Sequence, residues 1–97
     1  MNSIQVFIVD DHYMVIEGIS VLLKDQQDIE LTGHASNAVS CLAYLKNKLP
    51  DVILMDMAMP GMDGPTATRL IRQNFPRAQI IALTSFKEPV SRLRGAG

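Results

Sequence analysis

The chain has 97 residues, 47% of them hydrophobic and 20% charged, which is the make-up of one soluble globular domain and leaves no room for disorder as the default. Nine basic against ten acidic residues give a net charge of -1, so no global field draws it to nucleic acid or anionic lipid, and direct nucleic-acid binding is not expected. One cysteine excludes an internal disulfide and no Cys/His spacing suits structural zinc; without a leader or a membrane-length apolar run, a cytoplasmic protein with no membrane partner is expected.

Short continuous apolar runs alternate with helix-period stretches, the pattern of β-α-β units around a buried parallel sheet, so the fold class is α/β. The first strand is Ile4 to Val9, closed by Asp10 and Asp11. Val15, Ile19, Leu22 and Leu23 then mark the buried face of a helix from about Tyr13 to Lys24. Residues 29–35 alternate with period two, as a half-exposed edge strand does. Asn37 is placed to cap a second helix whose Ala38, Leu42, Leu45 and Leu49 share a face, with Pro50 as the stop.

The next strand, Val52 to Met55, is closed by Asp56. After a loop, Asp63 or Gly64 caps a third helix with Pro65 in its first turn and Ala67, Leu70, Ile71 and Phe75 as its stripe. Ile80 to Leu83 is the fourth strand, ending in Thr84. The thirteen residues after it fit one short helix, about Pro89 to Arg94, and no further strand.

Side-by-side parallel strands bring Asp10, Asp11 and Asp56 together at the C-terminal edge of the sheet, where open α/β sheets bind ligands. One acid after a strand is ordinarily a helix cap, and Asp11 suits that role. Three acids in one partly desolvated cleft repel, and a cation relieves them; oxygen-only ligands point to Mg²⁺. Asp56 carries the most weight, because a carboxylate directly after a buried apolar strand is costly without a partner. Thr84 would add a hydroxyl to the same rim. His12 is read as a first-turn residue facing solvent rather than a proton carrier, His34 as the polar face of an edge strand, and Cys41 as a half-buried small hydrophobe. Met55 belongs to the core and the loop methionines are apolar filler rather than a Cu(I) site.

The segments Ile8-Val9-Asp10-Asp11-His12, Asp56 with Met59-Pro60-Gly61-Met62-Asp63-Gly64, and Ile81-Ala82-Leu83-Thr84-Ser85 together resemble the receiver domain of bacterial two-component response regulators. Glu17-Gly18 and Thr66-Ala67-Thr68-Arg69 are similar to the branch that usually precedes a LuxR-type DNA-binding domain. The resemblance implies a flavodoxin-like, CheY-like doubly wound sheet, here with strand order 2-1-3-4 and with the family's fifth strand and helix absent, so that residues 1–97 are a C-terminally incomplete receiver domain.

It further implies that a sensor histidine kinase donates a phosphoryl group to Asp56. Mg²⁺ would be held by Asp11, Asp56 and the backbone carbonyl of Ala58, with Asp10 acting through water, and the Thr84 hydroxyl would contact the phosphoryl group as a switch. Such a domain catalyses only its own modification and is not a turnover enzyme. Lys87 does not match the family's strand-5 lysine. An uncovered fourth strand suggests homodimerisation through that edge. The alternative reading is a phosphorylation-independent interaction module that acts through the same edge.

Overall fold

The computed structural model describes residues 3–58 and 64–83; Thr84 and the helix expected at Pro89 to Arg94 lie outside them. The apolar runs form β1 (Ile4–Val9), β2 (Ile29–Ala35), β3 (Val52–Asp56) and β4 (Ile80–Leu83). Between them lie the helices α1 (Tyr13–Lys24), α2 (Ala38–Leu45) and α3 (Gly64–Asn74). All the strand pairings are parallel and the order is β2-β1-β3-β4, so the order expected from the sequence holds. Every crossover is helical because parallel neighbours cannot be joined by a tight turn.

Residues on alternate positions of β1 serve the two faces of the sheet. Phe7 and Val9 join Ile53 and Met55 in a buried cluster closed by Ala38, Cys41 and Leu45 of α2 and by Ala67 and Ile71 of α3. Met57 packs against that cluster, so the two described methionines of this stretch are core and filler, as expected. Each fully buried Phe or Ile contributes about 1.5–3 kcal/mol by leaving water. The Phe7 ring stacks on Tyr44 at 4.2 Å between centroids. Gly33 leaves room beside that stack, since a Cβ there would stand 3.1 Å from the Phe7 ring and press on it.

Val6 and Ile8 are buried on the opposite face, where α1 packs beside β2. The helix buries Ile16, with Ile19 and Leu23 half-buried, whereas Val15 and Leu22 are exposed. The expected stripe is therefore corrected by about one residue's rotation. Several apolar residues crowd this helix, and its docking against β2 decides which of them face inward.

Two further readings are corrected. The alternation of β2 is not that of one continuous face: the register with β1 shifts between Val6 and Phe7, so that Leu31 pairs with Val6 but Gly33 pairs with Phe7. Thr32 is the extra residue, and its hydroxyl donates to the Val6 carbonyl at 3.2 Å. A one-residue slip moves side chains to the other face. Ile29 and Leu31 thus neighbour Leu23 of α1, while Ala35 joins the cluster under α2.

The second correction concerns α2. Asn37 caps it as expected, accepting from the Ser40 N–H at 2.8 Å, but the helix ends at Leu45 and Leu49 is exposed. Its inward residues are Ala38, Cys41 and Leu45, at three- and four-residue steps, so Cys41 is wholly buried rather than half-buried.

Candidate metal and phosphoryl site

The register of β1 on β3 builds the site. Val9 pairs with Met55, so the residues that follow, Asp10 and Asp56, emerge side by side at the C-terminal edge. At the other end of the pair, the Asp51 side chain accepts from the Gln5 N–H at 2.7 Å while the Asp51 N–H donates to the Gln5 carbonyl at 2.8 Å. Those two bonds close the far end of the ladder whose register aligns the acids.

Asp10 and Asp56 are 3% and 1% exposed. Burial of a carboxylate is costly unless hydrogen bonds or opposite charge offset it. Both make the same local turn: Asp10 Oδ1 accepts from the His12 N–H at 2.8 Å, and Asp56 Oδ1 accepts from the Ala58 N–H at 3.0 Å. An Asp that bonds its own backbone two residues on is a common way to end a strand. Here it also fixes one oxygen of each carboxylate in place.

Asp11 sits at the mouth, its side chain 26% exposed. Its suggested role as helix cap is corrected, because the residue at the N-cap of α1 is His12, which makes no side-chain capping bond. The reading of His12 as a solvent-facing residue is corrected as well. Its Nδ1 lies 2.8 Å from Asp11 Oδ1, 3.1 Å from Asp10 Oδ1 and 4.0 Å from Asp56 Oδ2, although the side chain remains 41% exposed. The extended backbone at His12 turns the ring back over the strand ends instead of outward along the helix. The signal available in the sequence was the position itself, directly after the acidic pair.

Ligand atoms from Asp10, Asp11, His12 and Asp56 all lie within 4.8 Å of one another. Ligands on opposite sides of one divalent ion are about 4–5 Å apart for bonds of 2.0–2.5 Å, so one cation fits among them. Unscreened by such an ion, a pair of carboxylates at this separation repels by roughly 3–4 kcal/mol at an effective dielectric of about 20. Three of these four groups offer carboxylate oxygens, the hard donors that suit Mg²⁺. A cleft bordered by Asp10, Asp11, Ser36 and Ser40 opens beside the acids.

Of the residues expected here, the structure brings together Asp10, Asp11 and Asp56, with Ala58 tied to Asp56 through its N–H. Thr84 follows Leu83, which pairs with Asp56, but itself lies outside the described residues. Gly64, expected as a cap glycine, opens α3 and is buried. A Cβ there would collide with the Met57 Cα and stand 2.8 Å from the Asp56 carbonyl oxygen. Its lack of a side chain lets α3 begin directly against the segment that carries Asp56.

Comparison with known proteins gives a consistent result. Residues 6–96 match the family model described as the response regulator receiver domain. The response regulator protein VraR of Staphylococcus aureus is 43% identical over 86 residues, an alignment that takes in 89% of this chain and 41% of that protein. The chain thus spans about two-fifths of the length of the curated relatives it matches.

Among solved structures, the signal receiver domain of the response regulator NarL from Mycobacterium tuberculosis superposes with a TM-score of 0.80 at 29% identity, covering 93% of this chain and 73% of that one. The isolated receiver domain of RcsB from Salmonella enterica serovar Typhimurium, solved with the phosphomimetic BeF3-, gives 0.80 at 28% identity, covering 98% and 71%. Parallel sheet, strand order, acidic pocket and family match agree, and the chain belongs to the response regulator receiver domain family.

Proposed function

We propose that this chain is a phosphoacceptor signalling domain in which Asp56 takes a phosphoryl group from a sensor histidine kinase with Mg²⁺ in the adjoining pocket. The observation that carries this reading is the juxtaposition of two almost wholly buried aspartates, Asp10 and Asp56, at neighbouring strand ends. Asp56 Oδ2 is the oxygen not held by the Ala58 N–H, and it would attack phosphorus in line while the bond from phosphorus to the donor breaks. The product is a mixed anhydride on Asp56, and water later cleaves it.

When bound, Mg²⁺ supplies charge neutralisation between the carboxylates and the incoming phosphoryl oxygens. Asp11 and Asp56 would hold it with the Ala58 carbonyl, and Asp10 would act through water. The Thr84 hydroxyl would donate to the phosphoryl group, and a switch follows if that bond favours one of two conformations. The domain then turns over only its own modification, in the cytoplasm where a kinase presents its phosphohistidine.

The experiment is labelling with a small phosphodonor such as acetyl phosphate, read by intact mass. One Mg²⁺-dependent phosphoryl group that disappears in Asp56→Asn supports the reading, and none in the wild type overturns it.

The alternative, an interaction module independent of phosphorylation, rests on β4. Among the described residues β4 pairs only with β3, and its Ile81 is 54% exposed. A second copy of the chain is the partner such an apolar edge fits. Sedimentation velocity distinguishes the cases: a dimer that Ile81→Lys dissociates supports this reading, and a monomer across a concentration series removes it.

A further inference from the structure

The near-zero net charge of the chain conceals a segregation that the fold creates. Residues 36–50 and 64–79, which hold α2, α3 and their flanking segments, carry Lys46, Lys48, Arg69, Arg72 and Arg77 and no acid. Residues 13–28, which hold α1 and the turn after it, carry Glu17, Asp25 and Asp28 against Lys24 alone. All nine of these side chains belong to exposed residues. Because α2 and α3 cover one face of the sheet and α1 lies on the other, the molecule has a cationic side and an anionic side.

Each side also exposes apolar surface. Opposite the stripe that buries Ile16, α1 presents Met14, Val21 and Leu22 to solvent. A helix that is apolar on both its faces is ordinarily covered on both. Between α2 and α3 runs a groove of about 440 Å³ bordered by Val39, Leu42, Ala43 and Phe75, with Lys46 and Asn74 as its polar members. Anchors one and two turns apart on a helix are what such a groove receives.

We infer that α1 of one copy of this chain seats in the α2–α3 groove of a second copy. Apolar stripe then meets apolar groove, and the anionic side meets the cationic one. A copy docked α1 to α1 would instead set Glu17 and Asp25 against their own like. The two surfaces differ, so the contact is heterologous; they also lie on opposite sides of the sheet, so every dimer keeps a free groove at one end and a free α1 at the other. Association therefore continues beyond two copies. This contact uses neither the β4 edge nor the Asp56 pocket.

The test is sedimentation velocity on the whole chain carrying Ile81→Lys, which removes association through β4, at concentrations up to about 1 mM. Leu22 is 72% and Val39 69% exposed, so Leu22→Lys and Val39→Glu change each surface without disturbing the core. The parent is expected to form species larger than a dimer, in an association that weakens as salt is raised. Either substitution alone should weaken it by about tenfold or more, since each sets like charge against like. An equimolar mixture of the two variants joins the intact α1 of one to the intact groove of the other and should give a one-to-one dimer and nothing larger.

A parent that stays monomeric throughout overturns the inference and assigns the two surfaces to other proteins. Association blocked by Leu22→Lys but not by Val39→Glu shows α1 pairing elsewhere and overturns it as well. So does a mixture that yields no dimer, or an association that salt strengthens.

Discussion

Val9 lies opposite Met55 in the parallel ladder, and each of these wholly buried residues is followed by a buried aspartate. Strand register, rather than any contact between the acids, is what places Asp10 beside Asp56. Residues one step earlier or later on either strand would point the carboxylates to different faces.

Loss of one buried charge should expose the cost of keeping the other two. Asp10→Asn retains an oxygen that can accept from the His12 N–H, so its turn survives while the like-charge repulsion falls. Thermal unfolding in chelator is expected to show this variant as stable as the wild type or more so. Mg²⁺ at about 100 times its dissociation constant should stabilise the wild type by about 2.7 kcal/mol, and the variant by clearly less. An equal Mg²⁺ shift in both proteins would contradict the role of Asp10.

Gly64→Ala places a methyl group against the Met57 backbone and the Asp56 carbonyl, atoms that cannot move without displacing the end of β3. Overpacking of this kind costs about 1–3 kcal/mol. Urea denaturation should register that loss. Phosphoryl labelling of whatever fraction stays folded should also slow, because the strained backbone carries the acceptor.

Asp51→Ala removes the acceptor for the Gln5 N–H at the far end of the ladder. A loss of about 0.5–1.5 kcal/mol is expected from one such bond at an exposed position. Mg²⁺ affinity should change little, since the remaining ladder still holds the register; a large drop in metal binding would show that the register depends on this clamp.

Burial pushes the Cys41 thiol up from its ordinary 9.0 to about 11. The neutral thiol is thus favoured in the folded state, and its contribution to stability is complete below pH 9 and is lost as the pH rises towards 11. Two pH units set the scale of that loss at a few kcal/mol, on the order of 1.4 per unit, at most. Between pH 9 and 11 the wild type should lose stability faster than Cys41→Ala, and at pH 7 alkylation of Cys41 should need unfolding. Rapid labelling of the native protein at neutral pH would contradict this.

What the chain carried openly were its periodicities and its strand ends. Ile4–Val9, Val52–Asp56 and Ile80–Leu83 are apolar runs of strand length, Asn37 announces α2, and an acid directly after a buried strand has few purposes. These are local properties, written in a few neighbouring residues. Hence the fold class and the acidic trio could be read without coordinates.

Other features needed distant parts of the chain to meet. Which stripe of α1 is inward depends on β2, and the face that Gly33 and Ala35 serve depends on an extra residue opposite β1. His12 gives no periodic signal; it enters the pocket because Asp10 anchors its N–H and β3 brings Asp56 within reach. Composition and spacing determined the elements and the candidate acids, since burial and backbone preference act along the chain. Tertiary structure alone decided rotation, register and the histidine's place, since those depend on packing between segments far apart in sequence.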